Sequence, residues 1–286
     1  MITKLVTPYL QLARVDRLSP AWMLLWPSYW ALWFSYRGLP PISIMALFAA
    51  GAGLMRSFGC IVNDLSDRNI DKKVQRTKNR PLASGRLPVE KALIFALIVG
   101  TFSATLLYFL SFEARVLASM GFVLTCLYPL SKRYSGYPQC LLGITFALGV
   151  PMAYAMSPSW GDIRGLGLYV CVVLWIIAYD TVYALQDIED DKKTGVGSLA
   201  ITLGDTVVMG IGVLYSLFWL GLGLIGYLYH GQAAFFISWV IAGILLVWQV
   251  VIVQKKATSR YAFAFQLNQW IGFVVWLGVI LTFVRP

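Results

Sequence analysis

Negative charge is scarce in this chain. Of 286 residues only 13 are Asp or Glu, and charged residues of either sign make up 13%; a soluble domain carries about 25%. Histidine is scarcer still: His230 is the only one and falls in an expected loop, which excludes a histidine metal cage or a His-based catalytic triad. The cysteines are Cys60, Cys126, Cys140 and Cys171, all in or beside apolar stretches and without ligand spacing, so they read as small buried hydrophobes. The first twenty or so residues hold no apolar core followed by a small-residue cleavage site, so no cleaved secretory signal is expected.

Apolar residues fill the space left by charge. They make up 59% of the chain, and the mean hydropathy is +0.72. This composition implies an all-α polytopic membrane protein forming a single transmembrane domain over 1–286. A spanning helix needs about 20 mostly apolar residues. Nine segments qualify: 20–36, 41–62, 91–111, 114–131, 138–157, 166–186, 206–229, 233–253 and 263–284. The net charge of +10 does not call for nucleic acid, because the basic residues lie in short loops between spans. Eighteen of the 23 Lys and Arg fall in one alternating set of loops and four in the other, with Arg56 inside a span. By the positive-inside rule the N-terminus then faces the cytoplasm.

The few acidic residues are not scattered. Asp64, Asp67 and Asp71 follow the second span; Asp180, Asp187, Glu189, Asp190 and Asp191 end the sixth. Both clusters fall on the cytoplasmic side, four spans apart, which suggests two four-helix pseudo-repeats plus one extra helix. If the second span continues as a helix past Asn63, then Arg56, Asn63, Asp67 and Asp71 lie within about 60° of one face, with Asp64 close to Asp71. The same reasoning puts Asp180, Tyr183, Asp187 and Asp191 on one face of the sixth.

Crowded carboxylates repel unless a cation binds between them. A hard divalent ion suits them, and Mg²⁺ is usually held by one or two carboxylates plus substrate phosphates. Arg68, Lys72, Lys132 and Arg133 stand ready to contact phosphate oxygens. Together these describe a diphosphate site at a bilayer, hence a lipid diphosphate as substrate. Loss of diphosphate from an allylic lipid leaves a carbocation that aromatic faces can stabilise. An ion-coupled transporter is the reading from another class, but its carboxylates are expected along a pathway rather than near one membrane face.

Asn63, Asp64, Asp67 and Asp71, followed by R-T-x-x-R-P-L (76–82), resemble the first motif of the UbiA superfamily of intramembrane prenyltransferases. Y-D-x-x-Y-A-x-x-D-x-x-D-D (179–191) resembles the second. YPLSKRYSGYPQ (128–139) is similar to the family's basic segment, and 14–32 to its N-terminal stretch, with Leu18-Ser19-Pro20 where Pro-x-Gly is expected. The resemblance spans 10 to about 205. It implies an integral protein of a bacterial inner membrane, in contact with membrane lipid. The donor would be a polyprenyl diphosphate and the acceptor 4-hydroxybenzoate, as in ubiquinone biosynthesis; naphthoate, homogentisate, haem or chlorophyllide are the alternative acceptors. Asp64, Asp67, Asp71, Asp187 and Asp191 would bind Mg²⁺. Asn63, Arg68, Lys72, Lys132, Arg133 and Tyr183 would bind substrate. Arg56 would take the acceptor carboxylate, with Arg14 and Arg17 behind it, and Asp191 would activate the phenol or remove the ring proton.

Overall fold

The computed structural model describes residues 2–16, 19–256 and 258–284, with only the backbone at 2–5 and 19. The helices are α1 (Ile2–Leu12), α2 (Ser19–Tyr36), α3 (Ile42–Asp71), α4 (Val89–Thr105), α5 (Phe112–Tyr134), α6 (Pro138–Ala147), α7 (Gly149–Ala155), α8 (Ile163–Ala184), α9 (Ile188–Thr194), α10 (Leu199–Leu203), α11 (Val207–Leu228), α12 (Ala233–Gln254) and α13 (Tyr261–Phe283). Among the described residues there is no strand.

Eight helical stretches are long and apolar enough to cross a bilayer, with α6 and α7 counted as one. The chain is an integral membrane protein. The expected first span, α2, is not among the eight, since its 18 residues include Ser19, Pro20, Pro27, Ser28 and Ser35. It is nonetheless packed into the bundle, against α3, α7 and α13. Past its midpoint Tyr29 donates to the Met45 carbonyl of α3 at 3.2 Å. At its end Ser159 Oγ donates to the Ser35 carbonyl at 2.6 Å, in the α7–α8 connection. Most of its length is wrapped by protein, not lipid: Trp30, Ala31, Leu32 and Phe34 are fully buried.

The fifth span is broken in two. Pro151 cannot donate to Ala147, and its ring crowds that carbonyl; α6 ends at Ala147 and α7 restarts at Gly149. Lipid-facing and protein-facing helices differ sharply. On α4, Leu93, Ile94, Leu97 and Phe102 are exposed, as suits a helix against acyl chains. By contrast α8 is central. Its Trp175 is buried and stacks on Trp30 at 5.3 Å and on Phe218 at 5.4 Å. A polar chain closes beside it: Trp175 Nε1 donates to Asn268 Oδ1 (2.8 Å), Asn268 Nδ2 to Gln249 Oε1 (2.9 Å), and the Tyr215 hydroxyl to the same Oε1 (2.7 Å). Away from water each of these groups needs a protein partner. The chain fixes α8, α11, α12 and α13 against one another, and so fixes where the end of α8 points.

Candidate active site

The first acidic motif rides a single helix. α3 runs unbroken for 30 residues to Asp71, as its helical spacing of polar groups suggests. Asp64, Asp67 and Asp71 are all buried, at 1%, 8% and 6% exposure. Buried carboxylates persist only when paired, and each is. Arg14 grips Asp64 with its Nη2 at 3.0 and 2.9 Å from the two oxygens. Arg80 Nη1 lies between Asp64 (3.0 Å) and Asp71 (2.9 Å). Lys132 Nζ donates to Asn63 Oδ1 (2.9 Å) and to Asp67 (3.5 Å). Deeper on α3, Arg56 Nη1 donates to the Arg14 carbonyl at 3.0 Å.

The second motif does not ride one helix, contrary to expectation. α8 ends at Ala184, Leu185–Gln186 turn, and Asp187 (φ −112°, ψ 6°) precedes the short α9. Asp180 and Tyr183 therefore belong to the span, whereas Asp187 and Asp191 belong to a turn and short helix that follow it. Arg76 holds that turn. Its Nε donates to Asp187 at 2.8 and 3.2 Å, its Nη2 also contacts Asp187, and its Nη1 reaches the Tyr183 hydroxyl at 2.7 Å. The amide of Gln75 adds a bond to Asp190 Oδ2 (3.2 Å). Burial opposes the charge on Arg76, but the bond to Asp187 and the neighbouring Tyr183 outweigh it and raise its pKa. Arg80 is likewise pushed down by burial and raised on balance by Asp64 and Asp71. Asp191 has no such clamp. Burial first, then repulsion from Asp187, lift its carboxyl to about 6.

The structure brings the two motifs together through the basic loop that follows α3. Arg76 and Arg80 bridge these carboxylates and are absent from the set of candidates that the sequence offered. Their signal lies in R-T-x-x-R-P-L, four residues apart, inside a basic run that positive-inside topology explains equally well. The end of α5 closes a third side. Gly197 N donates to the Lys132 carbonyl at 2.8 Å, and a Cβ on Gly197 would sit 2.3 Å from the Ser135 carbonyl oxygen, so only glycine allows that approach.

Three expected phosphate contacts lie elsewhere. Lys72 is exposed beyond the end of α3. Arg68 and Arg133 line a separate cavity of about 410 Å³ with Ser66, Asn69, Ile70 and Thr194, and Arg133 comes no nearer to Asp67 than 3.9 Å. Arg17 is outside the described residues.

Among the described residues no group of three acidic, Cys or His side chains forms a ready-made metal cage. Mg²⁺ does not require one, because it takes one or two carboxylates and completes its shell with phosphate and water. The donor chemistry fits that ion: hard Asp oxygens from two helices, no thiol or imidazole, and cations alongside for a phosphate.

Comparison with known proteins identifies the family and the fold. The model of the UbiA prenyltransferase family matches residues 24–281. A 4-hydroxybenzoate octaprenyltransferase of Coxiella burnetii is 39% identical over 276 residues, 96% of each chain. Proteins of the same description from Tolumonas auensis and Polynucleobacter asymbioticus are 36% and 34% identical, again over 96% of each chain. Among solved structures, the apo UbiA homolog of Aeropyrum pernix superposes with a TM-score of 0.81 at 22% identity, over 94% of this chain and 99% of that one. An Archaeoglobus fulgidus homolog bound to DMAPP and Mg²⁺ gives 0.67 at 14%, over 93% and 98%. At these identities the structures speak for the fold.

Proposed function

The chain belongs to the UbiA prenyltransferase family, and from that premise we propose that it transfers a polyprenyl group from its diphosphate to 4-hydroxybenzoate. The bond forms at the ring carbon ortho to the hydroxyl, and diphosphate is released, as in ubiquinone biosynthesis. The observation that carries the site assignment is the Arg76 bridge: it joins the loop after the first acidic motif to Asp187 and Tyr183 of the second. The names borne by the relatives supply the acceptor.

Asp67, Asp71, Asp187 and Asp191 are the carboxylates we assign to Mg²⁺, and Asn63 stands beside them. The ion, when bound, neutralises the diphosphate and makes it a better leaving group. The protein's own groups do the rest. Arg76, Arg80 and Lys132 hold diphosphate oxygens, where guanidinium forks give directional, charge-assisted bonds. As the allylic C–O bond breaks, electrons leave with the diphosphate and positive charge spreads over the prenyl end. Aromatic faces lie beside the site: Tyr183 packs on Phe265 at 4.7 Å and Tyr179 on Phe265 at 5.7 Å. Arg56, two helical turns deeper than Asn63, is placed to pair with the carboxylate of the acceptor. Its ring carbon attacks, and the ring proton passes to Asp191, whose raised pKa of about 6 suits a proton acceptor.

We place the protein in a bacterial inner membrane with its N-terminus and both acidic motifs in the cytoplasm. A cysteine replacing Gln75 or Thr194 should resist an impermeant thiol reagent in intact cells and react in inverted vesicles; the reverse pattern would refute that orientation.

The function is tested with washed membranes, a labelled polyprenyl diphosphate and a panel of aromatic acceptors, with and without EDTA. Labelled 4-hydroxybenzoate product that disappears with EDTA is expected. Product from naphthoate or homogentisate but not 4-hydroxybenzoate would move the chain to another branch. Arg56→Ala should raise KM for the acceptor more than for the diphosphate; a rise confined to the diphosphate would place Arg56 with the phosphates.

A further inference from the structure

Asp64 differs from the other carboxylates of the site. Its side chain is 2% exposed, against 12% for Asp67 and 13% for Asp187. Two guanidiniums from two separate chain segments enclose it: Arg14 from the N-terminal arm at 3.0 and 2.9 Å, and Arg80 from the loop after α3 at 3.0 Å. On the wheel of α3 it lies within about 20° of Asp71, but Asp71 is paired with Arg80 and its side chain is 8% exposed, so the second arginine and the deeper burial set Asp64 apart. Mg²⁺ must keep room for waters and phosphate oxygens, and a carboxylate sealed between two arginines offers none.

What Asp64 holds is the arm over residues 9–16. The arm is built to be held. Leu12 is fully buried in a cluster with Phe58, Ile61, Leu82 and Leu87. Tyr9 meets Phe95 edge-on at 5.2 Å, and Arg86 Nη1 donates to Gln11 Oε1 at 3.1 Å. Arg14 itself has φ 56°, a left-handed conformation that a non-glycine residue keeps only when its surroundings impose it. The Arg14 carbonyl, turned by that conformation, accepts from Arg56 Nη1 at 3.0 Å. One carboxylate thus fixes Arg14, and Arg14 fixes the direction of Arg56.

We propose that Asp64 is a positioning residue, not a metal ligand: it latches the N-terminal arm and the Arg80 loop onto α3 and so aims Arg56 at the acceptor carboxylate. The role assigned to Arg56 rests on the proposed function; the latch itself does not.

The test combines hydrogen–deuterium exchange of residues 9–16 in nanodisc-embedded protein with steady-state kinetics. The variants are Asp64→Asn, Arg14→Ala, the double variant, Asp67→Asn and Arg56→Ala. Arg14→Ala leaves every carboxylate in place, so it decides the matter even if Asp64→Asn folds poorly. Asp64→Asn and Arg14→Ala should each speed exchange at the arm about 10-fold or more, the effect of losing a charged hydrogen bond. Each should raise the acceptor KM, with no further rise in the double variant. Both should keep the wild-type Mg²⁺ concentration for half-maximal activity, which Asp67→Asn shifts. A Mg²⁺ shift for Asp64→Asn like that of Asp67→Asn, or wild-type exchange in Arg14→Ala, would overturn the latch. Faster exchange with an unchanged acceptor KM overturns the aiming of Arg56 if Arg56→Ala raises that KM. If Arg56→Ala leaves it unchanged too, the role proposed for Arg56 fails and the latch stands.

Discussion

The two acidic motifs present similar chemistry on different supports. The first is written along one continuous helix, whose pitch alone sets the spacing of Asn63, Asp67 and Asp71. The second is split: Tyr183 on α8, Asp187 in a turn, Asp191 on α9. A rigid rod and a hinged one facing each other make one wall of the site stiff and leave the other held by contacts from outside itself, chiefly Arg76. A site that must admit a lipid diphosphate and release diphosphate gains from having one adjustable wall.

The largest expected effect removes a carboxylate from either wall. Asp67→Asn and Asp187→Asn should each lower kcat/KM about a thousandfold or more, the equivalent of ~4 kcal/mol of transition-state stabilisation. EDTA should reproduce the loss. Radiochemical assay of membranes containing equal amounts of each variant checks this, and near-normal turnover in either variant would remove that motif from the site.

A one-residue insertion separates the walls more sharply. An alanine inserted between Leu65 and Ser66 swings Asp67 and Asp71 by about 100° relative to Asn63. Activity should fall at least ~100-fold, since small misplacements already cost that much. The same insertion between Leu185 and Gln186 enters an existing turn and should leave measurable turnover. Equal loss in both would mean that the second wall is as rigid as the first.

This difference marks where the sequence was legible. The continuation of α3 to Asp71 could be read because the acidic spacing follows the helical repeat. The break after Ala184 could not: Leu185, Gln186 and Asp187 include no Pro or Gly, and the helical spacing runs on through them. Tertiary contacts with the basic loop shape that turn, and no local preference reports them. The split of the fifth span had a local cause, Pro151, that a hydropathy window passes over. Family, membrane class and the course of the first motif along α3 were legible from composition, spacing and resemblance. Arg76 and Arg80 were not, because a basic loop at a membrane face already has an explanation and only its fold shows the guanidiniums turned inward.

Arg76→Ala should have an intermediate effect. It frees the hinged wall and removes a proposed phosphate contact, so KM for the polyprenyl diphosphate should rise about 10- to 100-fold, with a smaller change for 4-hydroxybenzoate. Initial-rate kinetics in both substrates decide it; a change confined to the acceptor would sever Arg76 from the diphosphate.

The smallest expected effect is in pH. Asp191 titrates near 6, raised by burial and by Asp187. It is charged above that pH and protonated below it, so activity should decline as pH falls through about 6. Added Mg²⁺ should move the decline to lower pH, because ion and proton compete for the carboxylate. A profile flat from pH 5 to 8, about a unit or more on either side, would leave Asp191 without a role in the rate.

The most direct test of a single site built from both walls is equilibrium binding of a labelled polyprenyl diphosphate to the purified protein in Mg²⁺, for wild type, Asp67→Asn, Asp187→Asn and the double variant. One shared site requires a single Mg²⁺-dependent ligand per chain, lost in each single variant and no further reduced in the double. Stoichiometric Mg²⁺-dependent binding that survives the loss of either motif would show that the two walls do not form one diphosphate site.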